Sequence, residues 1–124
     1  MKKIFITFFI GVCCITLANA QVQFTTVKHS FGKIKQNVPA SYTFEFKNIS
    51  NKPAVVEIAT AECGCTTPEY PKIPIAKNAT GQIKVTYNAA TPGSFSKKVN
   101  VKFANVDEPV VLTIEGDVVA VKKK

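Results

Sequence analysis

The chain contains no tryptophan and no arginine, and it has one histidine and one methionine. All 16 of its basic residues are lysines. Proteins that read nucleic acids usually place arginine forks on base edges or stack bases on exposed aromatic side chains. The lysine-only composition therefore argues against nucleic-acid recognition. Because His29 is the only imidazole, any Ser-His-Asp or Cys-His catalytic arrangement would have to include it.

Other catalytic patterns are also missing. No glycine-rich phosphate loop is present, since Thr91-Pro92-Gly93-Ser94 is too short and is typical of a turn. A glycosidase needs two carboxylates across a cleft. We interpret both close acidic pairs, Asp107 with Glu108 and Glu115 with Asp117, as surface charge. We predict a protein that is not an enzyme and uses no cofactor.

The first 20 residues differ from the rest of the chain. Lys2 and Lys3 precede an apolar run, residues 4–17, and the small residues Ala18 and Ala20 end the segment. This order is typical of a cleaved secretory signal peptide. The run of about 14 residues is shorter than the roughly 20 that a membrane-spanning helix needs. We therefore predict export to the periplasm or the cell surface, with no transmembrane segment in the mature chain.

The remaining residues, 21–124, have the size of one domain. They include 14 valines and 7 isoleucines against a single leucine, Leu112. Branched residues of this kind favour strands over helices. We predict a β-sandwich domain over residues 21–121, followed by a basic tail, residues 122–124.

Apolar and polar residues alternate in several stretches that are bounded by Asn, Pro or Gly, which indicates strands with one buried face. The predicted inward sets are Tyr42, Phe44 and Phe46; Ala54, Val56 and Ile58; Ile83, Val85 and Tyr87; Phe95, Val99, Val101 and Phe103; and Val110, Leu112 and Ile114. A first strand is predicted from Val22 to Phe31, with a break at Gly32. Three prolines between residues 66 and 79 predict a crossover at an edge or end of the sandwich. The pattern predicts an antiparallel sandwich of about seven strands.

Several segments resemble a known family. They are Phe31-Gly32-Lys33-Ile34, the alternating run 42–48, Cys63-Gly64-Cys65-Thr66-Thr67-Pro68, the run 83–88 and Pro92-Gly93-Ser94-Phe95. Residues 24–118 resemble the domain-of-unknown-function family 1573, short secreted proteins typical of Bacteroidetes-like bacteria. Relatives commonly carry Trp where this chain has Tyr70. The resemblance implies an immunoglobulin-like sandwich, related to the major sperm protein and Hydin-type domains, and implies no activity.

Removal of the signal peptide would leave Cys63 and Cys65 as the only cysteines. Four states are open to this pair: buried thiols that pack as small apolar groups, a local disulfide, metal binding with His29 as a weak third ligand, and intermolecular bridges. A local bridge would close a very small ring and would be easily reduced. Together with Thr66 of the same segment and Tyr70, these cysteines are the candidate binding or redox residues.

The leading hypothesis is an exported, non-enzymatic module that binds or scaffolds an envelope protein or a glycan. Contact is expected through residues 63–75, through strand addition at an exposed edge, or through a lysine-bearing face. One alternative is a thiol-disulfide redox or metal-handling protein that uses Cys63 and Cys65. Another is an anionic glycan or lipid-headgroup binder, which predicts that Lys98 and Lys102 share a patch with Lys47 or Lys84.

Overall fold

A computed structural model describes residues 21–121. The predicted signal peptide and the lysine tail lie outside the described residues. Within them the structure has eight strands and no helix. The strands are β1 (Val22–Phe24), β2 (Lys28–Lys35), β3 (Ala40–Asn48), β4 (Val56–Ala61), β5 (Thr66–Glu69), β6 (Thr80–Tyr87), β7 (Gly93–Phe103) and β8 (Val110–Val119). They form two four-stranded sheets, in the orders β1-β3-β6-β5 and β2-β8-β7-β4.

The core lies between the two sheets and consists of the side chains on one face of each strand. Fully buried members come from both sheets, for example Phe44 and Ile83 from one and Val99 and Leu112 from the other. Each such side chain stabilises the fold by about 1.5–3 kcal/mol relative to an exposed position. The predicted all-β sandwich is confirmed, and so is the inward orientation of the sets on β3, β6, β7 and β8.

The first predicted strand is in fact two strands that belong to different sheets. The break falls at residues 25–27, where the chain crosses from β1 to β2, and the predicted break at Gly32 is wrong. Gly32 has φ +66° and lies in a bulge where the register of β2 shifts between Ser30 and Lys33. Glycine adopts this left-handed backbone without a steric cost, so the strand continues through it.

One pairing departs from the antiparallel expectation, because β2 runs parallel to β8. The two strands are joined by no hairpin, since almost the whole domain separates them in sequence. Their relative direction is therefore set by how each packs on the core.

The prediction that Ile58 faces inward is wrong. A bulge between Val56 and Ile58 shifts the register of β4 against β7. As a result Ile58 is 47% exposed, and Ala59 takes the buried position instead. A register shift of one residue exchanges the two faces of a strand, so the alternation read from Ala54 onward does not extend past Glu57.

Asn48, at the end of β3, is fully buried although it is polar. Its Nδ2 donates hydrogen bonds to the carbonyl oxygens of Lys52 (2.7 Å) and Ile75 (2.9 Å). Its Oδ1 accepts hydrogen bonds from the backbone N–H of Ser50 (3.0 Å) and from the Ser50 hydroxyl (2.7 Å). The side chain thereby ties the turn after β3 to the segment that precedes β6, and a buried polar group with partners on every side carries little desolvation cost.

The proline-rich segment lies at the edge of the first sheet, as predicted, and its first part forms the edge strand β5. Pro68 lies opposite Val85 of β6. The N–H of Asn88 donates to the carbonyl of Cys65, so these two residues form a hydrogen-bonded pair. In an antiparallel ladder such pairs alternate with non-hydrogen-bonded pairs. Pro68 therefore lies in a non-hydrogen-bonded pair, where its missing N–H is not required. Further along, Ile75 forms a bridge with Ala54 that holds the segment against the other sheet.

Candidate functional site

Cys63 and Cys65 lie in the loop that connects β4 with β5, at one end of the sandwich. The structure joins them in a disulfide, with their Cα atoms 5.3 Å apart, inside the range that disulfides require. Both residues are half-buried, and Gly64 between them is exposed. Of the four states open to this pair, the described one is the local disulfide. The bridge links two positions of one loop and connects no two strands.

The Thr66 hydroxyl lies beneath this disulfide. Thr66 is only 4% exposed, and its Oγ1 is 3.9 Å from the Sγ of Cys63 and 3.7 Å from the Sγ of Cys65. The loop is further held by the N–H of Thr66, which donates to the carbonyl of Cys63, and by the bond from Asn88 to Cys65. The structure therefore brings together three of the four predicted site residues.

His29 takes no part in this arrangement. Its ring stacks on Tyr42, with centroids 3.7 Å apart and planes 7° from parallel, and it contacts Phe31 edge-on. His29 of β2 thus takes part in aromatic packing between the two sheets. Among residues 21–121 no three His, Cys, Asp or Glu side chains gather where they could hold a metal ion. The predicted metal candidates Cys63, Cys65 and His29 are therefore not brought together.

The lysine patch expected of an anionic-ligand binder is not formed. Lys98 and Lys102 lie on the outer face of β7 in one sheet, whereas Lys47 and Lys84 lie on the outer face of the other. The outer faces of a sandwich point in opposite directions. Lys102 is also paired with Glu57 at 3.7 Å. The predicted single patch is wrong.

Tyr70, the fourth predicted site residue, follows the end of β5 and lines a groove of about 450 Å³. Tyr70 is half-buried, and the Nζ of Lys72 lies 3.6 Å from the centroid of its ring. Ile73 forms an apolar wall of the groove and is 71% exposed. The floor comes from the beginning of β6, including Gly81 and Gln82.

The groove follows a part of β6 that has a neighbour on only one side. β3 pairs with β6 from Thr80 to Tyr87, but β5 pairs with it only from Lys84 to Tyr87. The bond from Asn88 to Cys65 shows that even-numbered residues direct their backbone groups toward the β5 side. The N–H and C=O of Gln82 therefore point into the groove. Within residues 21–121, no backbone hydrogen bond connects Gln82 to the adjacent segment 70–75.

Ile73 lies within the predicted contact segment 63–75 but was not singled out by the sequence, and Gln82 was not identified. An isolated isoleucine between Lys72 and Pro74 is a weak indication of an exposed contact residue. Gln82 has no distinctive sequence feature, because the open edge depends on where β5 ends. Gln82 lies six residues before Asn88, so roughly 20 Å of extended chain separates the open edge from the disulfide loop.

Comparison with solved structures shows the same fold in unrelated settings. The PapD-like domain 7 of human CEP192 is 6% identical, with a TM-score of 0.69, over 82% of this chain and 87% of that one. A protein of unknown function from Porphyromonas gingivalis W83 is 9% identical, with a TM-score of 0.67, over 77% of this chain and 46% of that one. The Vibrio cholerae VesB protease is 12% identical, with a TM-score of 0.65, over 78% of this chain and 32% of that one.

This chain thus spans less than half the length of the Porphyromonas protein. At such identities the likeness shows the fold alone, since one fold serves many functions. No helix among the described residues has the length and apolar character to cross a membrane. No curated protein sequence matches the chain. The model of the family described as "Protein of unknown function (DUF1573)" matches residues 22–118, so the resemblance seen in the sequence is confirmed and the chain belongs to this family.

Proposed function

We propose that this protein is an exported, non-enzymatic module that binds an extended peptide segment of another envelope protein. The peptide adds to the open half of β6, beside the groove lined by Tyr70 and Ile73. The observation that carries this proposal is the run from Thr80 to Ile83, which has a strand neighbour on one side only.

The groove has the chemistry that a peptide backbone requires. Gln82 offers one N–H and one C=O at the open edge, and an added strand satisfies both groups at once. Tyr70 and Ile73 offer apolar surface against which a peptide side chain can pack. The volume of about 450 Å³ lies within the range of known ligand sites. Lys84 and Glu69 lie opposite each other on the adjacent strands, and Lys72 Nζ lies over the Tyr70 ring, so the groove region carries a small excess of positive charge.

The edge strands β1, β2 and β4 are poorer templates for an added strand. β1 has only three residues. β2 carries a bulge and three lysines, and β4 carries a bulge between Val56 and Ile58. Bulges, short strands and charged residues each oppose pairing with a second chain. Residues 40–44 of β3 and 93–97 of β7 also have a strand neighbour on one side only, and β6 is favoured over them because Tyr70 and Ile73 line a groove beside it.

Export is supported by the sequence, and a binding role is supported by proteins of similar fold. The cationic start, apolar run and small residues of 1–20 support secretion. Sandwiches of this fold act as a PapD-like domain, as a chaperone and as an adhesin in other proteins, which supports a binding role.

A peptide selection tests this proposal. A displayed library of ten-residue linear peptides is selected on the immobilised protein, and the affinity of each binder is then measured in solution. Ile73→Lys should weaken binding at least about 10-fold, because burial of an isoleucine side chain contributes about 1.5–3 kcal/mol. Val38→Lys is the matched control, since Val38 is an exposed apolar residue away from the groove.

Hydrogen exchange provides the second measurement. A bound peptide should protect the amide of Gln82, while amides of β6 that already bond to β3 should change little. Selected peptides that bind equally well to the Ile73→Lys variant would contradict the proposal. So would a selection that yields no binder, or binders that leave the Gln82 amide unprotected.

A further inference from the structure

A second feature, independent of the groove, lies at the other end of β6. We propose that the Cys63–Cys65 disulfide is an exchangeable bond that oxidises a dithiol, with Cys63 as the attacked sulfur and Cys65 as the leaving sulfur. The proposal rests on the position of the bond, its surroundings and the buried hydroxyl of Thr66, which contacts both sulfur atoms.

The disulfide contributes little to the stability of the fold. A disulfide stabilises a fold mainly by closing a long loop in the unfolded chain. This one spans a sequence separation of two and links residues of a single turn. Backbone hydrogen bonds from Thr66 to Cys63 and from Asn88 to Cys65 already hold that turn in place. The fold would therefore tolerate cleavage of the bond.

The bond is also accessible. Both cysteines are half-buried rather than enclosed, and Gly64 between them is exposed. Beyond its chain neighbours, no atom lies within 4 Å of the point where a side chain on Gly64 would begin. An incoming thiolate can thus reach this loop from the solvent side.

The two sulfurs are not equivalent. Cys65 packs against the hydrophobic core, whereas Cys63 is not among the residues that do so. Thr66 Oγ1 lies at nearly the same distance from both sulfurs, 3.7 Å from the Sγ of Cys65 and 3.9 Å from that of Cys63, so its hydroxyl can donate to either one as it leaves. The position of Cys63 off the core favours attack at Cys63 and departure of Cys65.

The exchange proceeds in two balanced steps. One thiolate of the partner dithiol attacks Cys63 Sγ, the bond between the two cysteines breaks, and Cys65 leaves as a thiolate that takes a proton from solvent. The second thiolate of the partner then attacks the partner's own sulfur in the mixed disulfide and releases Cys63, which is protonated. The partner loses two electrons and two protons and becomes a disulfide, while Cys63 and Cys65 become thiols.

The first test follows reduction of the oxidised, folded protein by dithiothreitol at pH 7, with aliquots quenched by N-ethylmaleimide and weighed by mass spectrometry. Thr66→Val should slow reduction about 3- to 10-fold, because a less stabilised leaving thiolate departs more slowly. Thr66→Ser keeps the hydroxyl and should restore the rate. In urea, where the fold is absent, all three proteins should react alike. Equal rates for the folded wild-type and Thr66→Val proteins would overturn the proposal.

The second test needs no variant and so does not depend on whether Thr66→Val folds. The wild-type protein is treated briefly with excess reduced glutathione, quenched with N-ethylmaleimide and digested. Glutathione should be found at least about 5-fold more often on Cys63 than on Cys65. A preference for Cys65, an even distribution, or no mixed disulfide at all would overturn the assignment of roles.

Discussion

Asn48 provides the sharpest test of how this sandwich is held together. Asn48→Asp keeps the shape and the accepting oxygen of the side chain but replaces the Nδ2 donor with a second acceptor. The carbonyls of Lys52 and Ile75, at 2.7 and 2.9 Å, then lose their donor and face a carboxylate oxygen instead. The bonds from Ser50 to Oδ1 remain possible.

The expected cost follows from these contacts. A buried polar group that loses its partner costs about 1–3 kcal/mol. With two carbonyls affected and a negative charge placed at a fully buried position, we expect Asn48→Asp to lower the free energy of unfolding by about 3–5 kcal/mol at pH 7. At roughly 4–8 °C per kcal/mol for a domain of this size, Tm should fall by at least about 12 °C.

The cost should depend on pH in a defined direction. Burial raises the pKa of the introduced Asp carboxyl in the folded protein above its value in the unfolded chain. The destabilisation is therefore complete above the folded-state pKa and shrinks as the pH falls through it, since the neutral carboxyl can donate one hydrogen bond to a carbonyl. The difference in free energy of unfolding between the wild type and Asn48→Asp should accordingly be smaller at pH 4 than at pH 7.

Urea unfolding followed by far-ultraviolet circular dichroism is the suitable measurement, because the chain has no tryptophan. Asn51→Asp is the matched control: it lies three residues away in the same turn, is exposed, and should change stability by no more than about 0.5 kcal/mol. A loss below about 1 kcal/mol for Asn48→Asp, or one that does not shrink at low pH, would refute the role assigned to this side chain.

Three further predictions use the same unfolding measurement. Gly81→Ala should destabilise the fold by about 1–3 kcal/mol, because the new Cβ would overlap the buried ring of Phe46. A Gly81→Ala variant as stable as the wild type would contradict this close contact between Gly81 and Phe46. Ile58→Thr should change stability by no more than about 0.5 kcal/mol, since Ile58 is exposed. A loss as large as that of a core substitution would show instead that Ile58 is buried. Gly32→Ala should cost about 1 kcal/mol through backbone strain at φ +66°, and a gain in stability would contradict the bulge.

The sandwich was predictable because a buried strand face leaves a direct mark on the sequence. Phe44 and Phe46, or Val99 and Val101, alternate with polar residues over enough positions to define which face is buried. The exceptions occur where the backbone departs from regular pairing. No local pattern marked the bulge that exposes Ile58, and the valine and phenylalanine content around residues 22–31 gave no indication that one strand would become two.

The candidate site was predictable in part for a similar reason. Cys63, Cys65 and Thr66 are adjacent in sequence, so their proximity follows from chain connectivity. Tyr70 was identified because it is an aromatic residue among prolines. The open edge at Gln82 depends on the point at which β5 leaves β6, which is a tertiary property. The separation of the lysines onto opposite faces was likewise invisible until the order of the strands was known.

The parallel pairing of β2 with β8 has a mechanical consequence. β2 is the second strand of the domain and β8 is the last, with Lys28 opposite Thr113 and Lys35 opposite Val119. A pull applied between residues 28 and 119 would draw them past one another lengthwise, so their shared hydrogen bonds would bear the load together rather than open one at a time. In a polypeptide tethered at both termini, this arrangement would resist stretching much better than a terminal hairpin that unzips.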